Sequence, residues 1–260
     1  MFPGFYLFGR FISSYVLMAL IGVFTAGPFA MVAYKKRTGD SYNMLIVMLF
    51  SAIGIFFGGS LLYGITNIQY WHLLTEAESF EQFAKYLYMI FGGSVFYGGL
   101  LGGMGVAAIV IKCRKLSFAD VTDCAAPAAP LFHCFGRIGC FLGGCCYGVE
   151  SDFGFVYEHS LVEQANGVRR FPVQLVEATC LLIIFIVLWQ LLKRNKLKGK
   201  LFATYLLIYA PTRFVLEFFR GDDYRGFLLG LSTSQLISIA IAVCTAVYLL
   251  IKRFKKVKSK

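Results

Sequence analysis

The sequence predicts an all-α integral membrane protein with about seven transmembrane helices and a small external cap. Composition is the first reason: 58% of the 260 residues are hydrophobic and only 15% are charged, where soluble domains carry about 25%. The second is a series of apolar runs at residues 13–33, 44–65, 89–111, 175–192, 201–219 and 228–251. Each is close to the roughly 20 residues a helix needs to cross a hydrocarbon core about 30 Å thick. The third is the placement of charge. Basic residues gather at Lys35-Lys36-Arg37 and within 112–115, 193–200 and 252–260, always where an apolar run ends. The formal charge of +11 therefore reads as a positive-inside signal and not as a nucleic-acid surface.

In chain order, the run at 13–33 is the first span. It leaves the N-terminus outside and the first basic cluster in the cytoplasm; no cleavable signal peptide is expected, because no basic residue precedes the run. The run at 44–65 returns to the outer side. Residues 67–85 hold Glu76, Glu78 and Glu81 beside Tyr70-Trp71, the composition of a short helix lying at the outer interface. The run at 89–111 is the third span. Counting the Gly-rich stretch 117–148 as the fourth keeps the basic clusters on one side. Residues 149–171 alternate apolar and polar around Gly154 and Asn166-Gly167, as short strands about a turn do. The last three runs complete seven spans and place the C-terminus in the cytoplasm. The chain thus reads as one transmembrane domain, 1–260, with external segments 67–85 and 149–171.

Seventeen of the 25 basic residues fall in the four clusters, thirteen of them lysine. The other eight are Lys85 and seven arginines: Arg10, Arg137, Arg169, Arg170, Arg213, Arg220 and Arg225. Lysine serves as a solvated topology charge, whereas the planar guanidinium suits bidentate binding of phosphate. Ionisable groups inside spans are costly and usually functional; here they are Asp123, His133, Arg137, Glu177, Arg213, Glu217 and Arg220. His133 and Arg137 are four residues apart and share a helix face. Arg213, Glu217 and Arg220 fall at i, i+4 and i+7, which predicts one face with Glu217 fixing an arginine fork. Three arginines against two acids leave a positive surplus, which favours an anion site over a purely structural ion-pair cluster.

The segment 136–148 holds five glycines in 13 residues. At about 1 kcal/mol each against alanine, they predict a backbone that breaks inside the membrane to line a cavity, with amides beside Arg137 that cradle a phosphate. His133, Cys140, Cys145 and Cys146 have metal-ligand chemistry, but their spacing matches no standard zinc pattern, so no metal and no cofactor is expected. The eight cysteines compel no disulfide, and adjacent cysteines rarely bridge each other.

These residues also carry a family resemblance. The segment Gly136-Arg137-Ile138-Gly139-Cys140-Phe141-Leu142-Gly143-Gly144-Cys145-Cys146-Tyr147-Gly148, preceded by Asp123-Cys124-Ala125-Ala126-Pro127, resembles the signature of prolipoprotein diacylglyceryl transferases. The likeness extends to Ser14-Tyr15-Val16-Leu17-Met18, Phe96-Tyr97-Gly98-Gly99-Leu100-Leu101-Gly102 and Phe171-Pro172-Val173-Gln174-Leu175-Val176-Glu177. Near the C-terminus it takes in Tyr209, Arg213, Glu217-Phe218-Phe219-Arg220, Leu231-Ser232 and Gln235. The blocks keep family order from about Tyr15 to Ser238. The resemblance implies a seven-span enzyme of the bacterial cell membrane that moves a diacylglyceryl group from phosphatidylglycerol to the lipobox cysteine of a preprolipoprotein, releasing glycerol phosphate. It implies Arg137 and Arg213 as essential arginines, and Tyr15, Asp123, Cys140, Gly144, Gly148, Gln174, Glu177, Tyr209, Glu217 and Arg220 as substrate-binding positions. Three departures mark a divergent branch: Tyr97 stands where better-known members have His, Cys140 where they have Asn, and Cys145-Cys146-Tyr147-Gly148 where they have Glu-Leu-Trp-Gly.

The chemistry expected is displacement at carbon. A thiolate attacks the glyceryl carbon bearing the phosphate, and the arginines neutralise the departing anion. His133 is the first candidate base, since imidazole titrates near neutral pH; Tyr97 is the second, or a hydrogen-bond donor to the leaving group. The partners expected are phosphatidylglycerol, the preprolipoprotein and membrane lipids, with the chain a monomer. Two alternatives are a related phospholipid transferase with a different acceptor, and an anionic-lipid transporter.

Overall fold

A computed structural model describes residues 1–222, 226–228 and 230–258; Arg225 lies outside the described residues. Among the described residues, seven long helices carry the fold: α1 (Ser14–Thr38), α2 (Tyr42–Thr66), α4 (Phe96–Cys113), α5 (Phe118–Gly143), α6 (Val173–Lys193), α7 (Leu201–Leu216) and α8 (Thr233–Lys258). Among the described residues, six segments are long and apolar enough to cross a membrane: α1, α2, α4, α6, Leu201–Phe219 and Thr233–Phe254. The helix outside that six is α5, whose 26 residues include Asp120, Asp123, His133 and Arg137. At about 1.5 Å per residue it is still long enough to span. The chain is an all-α integral membrane protein.

The run at 89–111 is divided. Helix α3 (Phe80–Phe91) ends before Gly92-Gly93, and α4 begins at Phe96. Consecutive glycines and a serine interrupt the helix where the apolar run alone showed no break. The stretch 67–85 forms a 3-10 turn, Ile68–Leu74, and the start of α3. An N-terminal hairpin of β1 (Gly4–Leu7) and β2 (Arg10–Ser13) was not anticipated. The segment 149–171 does carry strands, β3 (Glu150–Val156) paired with β4 (Arg169–Arg170). A last hairpin, β5 (Phe227–Leu228) with β6 (Leu231–Ser232), leads into α8.

The chain packs as two compact units, one of Met1–Ala33 with Thr122–Lys260 and the other of Tyr34–Val121. In the second, α2 and α4 meet backbone to backbone. A Cβ built on Gly54 would fall on the Gly102 carbonyl, and one on Gly58 on the Gly98 carbonyl. This is the small-xxx-small contact that lets membrane helices approach closely. In the first, α5, α6 and α7 enclose a core in which Ala126, Ile184, Leu188, Leu201 and Tyr205 are buried. Here α1 runs against α5: a Cβ on Gly139 would meet Tyr15, and one on Gly22 would meet Phe132 and Phe135.

The expected break within 136–148 falls later than predicted. Helix α5 stays regular through Gly136, Gly139 and Gly143, and leaves the helix at Gly144, whose φ is +76°. In a membrane a helix that stops early strands backbone groups without water. That demand, with the close α1 contact at Gly139, outweighs the glycine penalty.

Candidate active site

Glu177 is the hub of the first unit. It lies near the start of α6 and is 1% exposed. Its Oε2 is 3.1 Å from Nε of Arg137 and 3.9 Å from Nη1 of Arg213. Its Oε1 accepts the Tyr209 hydroxyl at 2.8 Å and is 4.0 Å from Nε2 of His133. One carboxylate thus joins α5, α6 and α7. Helical spacing makes this possible, because His133 and Arg137 lie one turn apart on α5, as do Tyr209 and Arg213 on α7. Tyr209 stacks on Tyr205 and meets the His133 ring edge-on.

Arg213 is further held by Glu217, Nη2 to Oε2 at 2.6 Å. Glu217 in turn accepts the Ser232 hydroxyl at 2.8 Å. Ser232 and Gln235 close on each other, Gln235 N–H to Ser232 Oγ at 3.2 Å and Ser232 N–H to Gln235 Oε1 at 2.9 Å. That is a capping box at the start of α8, so the Leu231-Ser232 and Gln235 block fixes Glu217 through the helix it starts.

The guanidiniums keep donors to spare. Glu177 is the ion-pair partner of Arg137 among the described residues. Arg137 spends its Nε on Glu177, 3.1 Å away, and Arg213 Nη1 is buried without a well-formed hydrogen bond. A guanidinium offers five N–H donors, and buried donors without acceptors are uncommon enough to require a reason. An anion with several oxygens supplies one.

Arg220 departs from expectation. Helix α7 ends at Leu216, a 3-10 turn follows, and Arg220 is extended in an isolated bridge with Gly148. It therefore leaves the Arg213–Glu217 face and pairs with Asp222, Nε–Oδ1 at 3.0 Å and Nη2–Oδ2 at 2.7 Å. Those two contacts raise the Arg220 pKa although burial alone would lower it. Asp222 also removes the predicted surplus, since three arginines now face three acids. The case for an anion site rests on spare donors and not on net charge. Asp222 was missed because it is a loop residue just beyond the span.

Asp123 sits elsewhere on α5. It is fully buried, and its two oxygens accept the backbone N–H of Gly199, at 2.6 Å, and of Leu201, at 3.1 Å. It therefore ties down the start of α7. Fourteen residues of helix separate it from Arg137, about 21 Å at the usual rise, so it lies apart from the Arg137 cluster. Arg170 is likewise structural, since it donates to the carbonyls of Ala165 and Gln164 and lies 4.4 Å over the Tyr147 ring. Arg169 is exposed and donates to the Gly154 carbonyl.

Gln174 is buried, and its amide donates to the Cys145 carbonyl at 2.8 Å and to the Tyr157 hydroxyl at 3.0 Å. It holds the loop after α5. Gly148 threads between the Phe171 and Phe219 carbonyls, where a Cβ would not fit, and Gly144 turns the chain against Ser160. Tyr15, at the start of α1, is about half exposed. Cys140 is buried on the last turns of α5. Tyr97 belongs to the second unit, where it opens α4 and packs on Phe96.

The fold and this arrangement define a multi-pass membrane protein with a buried arginine–carboxylate cluster. The family model for prolipoprotein diacylglyceryl transferase matches residues 4–251, and the chain belongs to that family. It is 32% identical over 257 residues to a phosphatidylglycerol–prolipoprotein diacylglyceryl transferase of Clostridium tetani, covering 97% of this chain and 98% of the relative. A second enzyme of that name, from Clostridium perfringens, is 33% identical over 91% and 90%. One from Bordetella parapertussis is 30% identical over 89% and 87%.

Proposed function

We propose that the chain transfers a diacylglyceryl group from phosphatidylglycerol to the lipobox cysteine thiol of a preprolipoprotein and releases glycerol phosphate. The observation that carries the reading is the Glu177 hub, which aligns Arg137 and Arg213 on one carboxylate oxygen while leaving donors unused. The acceptor sulfur attacks the glyceryl carbon, the carbon–oxygen bond to phosphate breaks, and its electron pair leaves on the phosphate. Arg137 and Arg213 meet the developing charge in a water-poor site where such contacts are strong. The thiol proton passes to His133, which Glu177 and Tyr209 orient; Tyr97 is the alternative acceptor. Cys140, Gly144, Gly148 and Gln174 shape the loop beside Arg137, and Tyr15 borders it. The relatives' names and the spans support a bacterial membrane location. The basic clusters support an outer N-terminus and cytoplasmic C-terminus.

The test uses purified protein, phosphatidylglycerol and a lipobox peptide. Release of glycerol phosphate should require the peptide cysteine, and Arg137→Ala or Arg213→Ala should each lower turnover about 10²–10³-fold, as removing one preorganised charge-stabilising donor does. Release without the peptide would point to another acceptor, and binding without release would point to transport. His133→Ala at normal rates would leave Tyr97 as the base.

A further inference from the structure

The Sγ atoms of Cys140, Cys145 and Cys146 all lie within 4.8 Å of one another. Their sequence spacing gave no hint of this, because the chain reverses between them. Helix α5 carries Cys140 on its last turns, and left-handed Gly144 and Cys146, at φ +76° and +56°, fold the next residues back over that turn. The reversal is pinned from several sides. Cys145 N–H donates to the Cys140 carbonyl at 3.1 Å, and the buried amide of Gln174 holds the Cys145 carbonyl. A non-glycine residue held at positive φ costs about 1–3 kcal/mol and persists only where its surroundings fix it. Here the surroundings aim a sulfur inward.

We infer that these three thiols form a binding site for one thiophilic metal ion. Metal–thiolate bonds are about 2.3 Å long, which sets sulfurs around a shared ion roughly 4 Å apart, a small side-chain adjustment from the observed cluster. Thiolate sulfur selects soft or borderline ions such as Cu(I) and Zn(II) over hard Mg(II) or Ca(II). Cys140 is buried while Cys145 and Cys146 are partly exposed, so an ion has a route in. His133, once grouped with the cysteines, instead faces Glu177.

A disulfide between two of the thiols is the competing use, and one experiment separates the two. Full-length protein in detergent is reduced with a phosphine and titrated with Cd(II), following thiolate-to-metal charge transfer in the ultraviolet. One ion per chain should saturate the signal at the intensity of three thiolates. Cys140→Ser and Cys146→Ser should each weaken binding about tenfold or more, while the double change Cys113→Ser/Cys244→Ser, at exposed thiols, should leave it unaltered. An unaltered titration in Cys140→Ser/Cys145→Ser/Cys146→Ser would overturn the site, as would single-thiolate intensity at saturation. So would a Cys140 disulfide in the protein as isolated, with no metal uptake after reduction. If the triple variant does not fold, Cys145→Ser alone decides by the same readout. The readout is metal uptake, so its failure leaves the transfer reaction untouched.

Discussion

In the second unit α2 and α4 are joined by glycine against glycine, Gly54 and Gly58 facing Gly102 and Gly98. In the first, α5, α6 and α7 are joined by buried charge, with Arg137, Arg213, His133 and Tyr209 around Glu177. Both join helices in an environment where lipid competes equally for apolar surface. Glycine contacts do this with no desolvation cost. A buried ion pair takes charges out of water and is often no more stable than apolar packing of the same volume. A chain that packs α2 on α4 through glycine has no packing need for charge between α5 and α7. On the proposed function, the charged cluster is there for what it binds.

The contrast breaks most visibly at Glu177. Glu177→Gln keeps the volume and an acceptor for Tyr209, but leaves the buried guanidiniums of Arg137 and Arg213 without their shared charge. We expect a stability loss of about 3 kcal/mol or more, read from thermal unfolding in detergent, together with loss of transfer. If Glu177→Gln unfolds with the unaltered protein, the cluster is not a coupled unit. The glycine side is tested by Gly98→Val, which places methyl groups on the Gly58 carbonyl. Overpacking of this kind costs about 1–3 kcal/mol, seen as a lower midpoint with no threshold of charge or pH. An unchanged midpoint would mean that α2 and α4 are not in backbone contact.

Much of this was legible in the sequence, and the failures share a cause. Span positions follow from apolar runs, and the pairing of His133 with Arg137 follows from one-turn spacing. Arg220 was misjudged because helical periodicity was extended past Leu216, where the chain leaves the helix, and the cysteines were read from motif spacing alone. Beyond a helix end, spacing no longer says what meets what, so neither the Arg220–Asp222 pair nor the three converging thiols could be read. Asp123 could not be assigned from sequence for another reason. A buried acid in a span has two uses, binding a ligand or holding backbone N–H groups, and only the position of Gly199 and Leu201 tells them apart. Asp123→Ala should therefore cost about 0.5–2 kcal/mol, as loss of a helix cap does, with turnover per folded molecule unchanged. A drop in turnover at full stability would return Asp123 to the substrate.

The smallest expected effect concerns Gly136, which stands one residue before Arg137. A Cβ added there meets nothing within 4 Å, and α5 is helical on both sides of it. If the helix is continuous, Gly136→Ala should stabilise the fold by up to about 1 kcal/mol through helix propensity alone, a small rise in unfolding midpoint. If the backbone opens here to cradle a phosphate, alanine instead holds it closed and lowers turnover. A higher midpoint with intact turnover would place headgroup recognition on the Arg137 and Arg213 side chains. A higher midpoint with reduced turnover would show that the space beside Gly136 is used by the lipid itself.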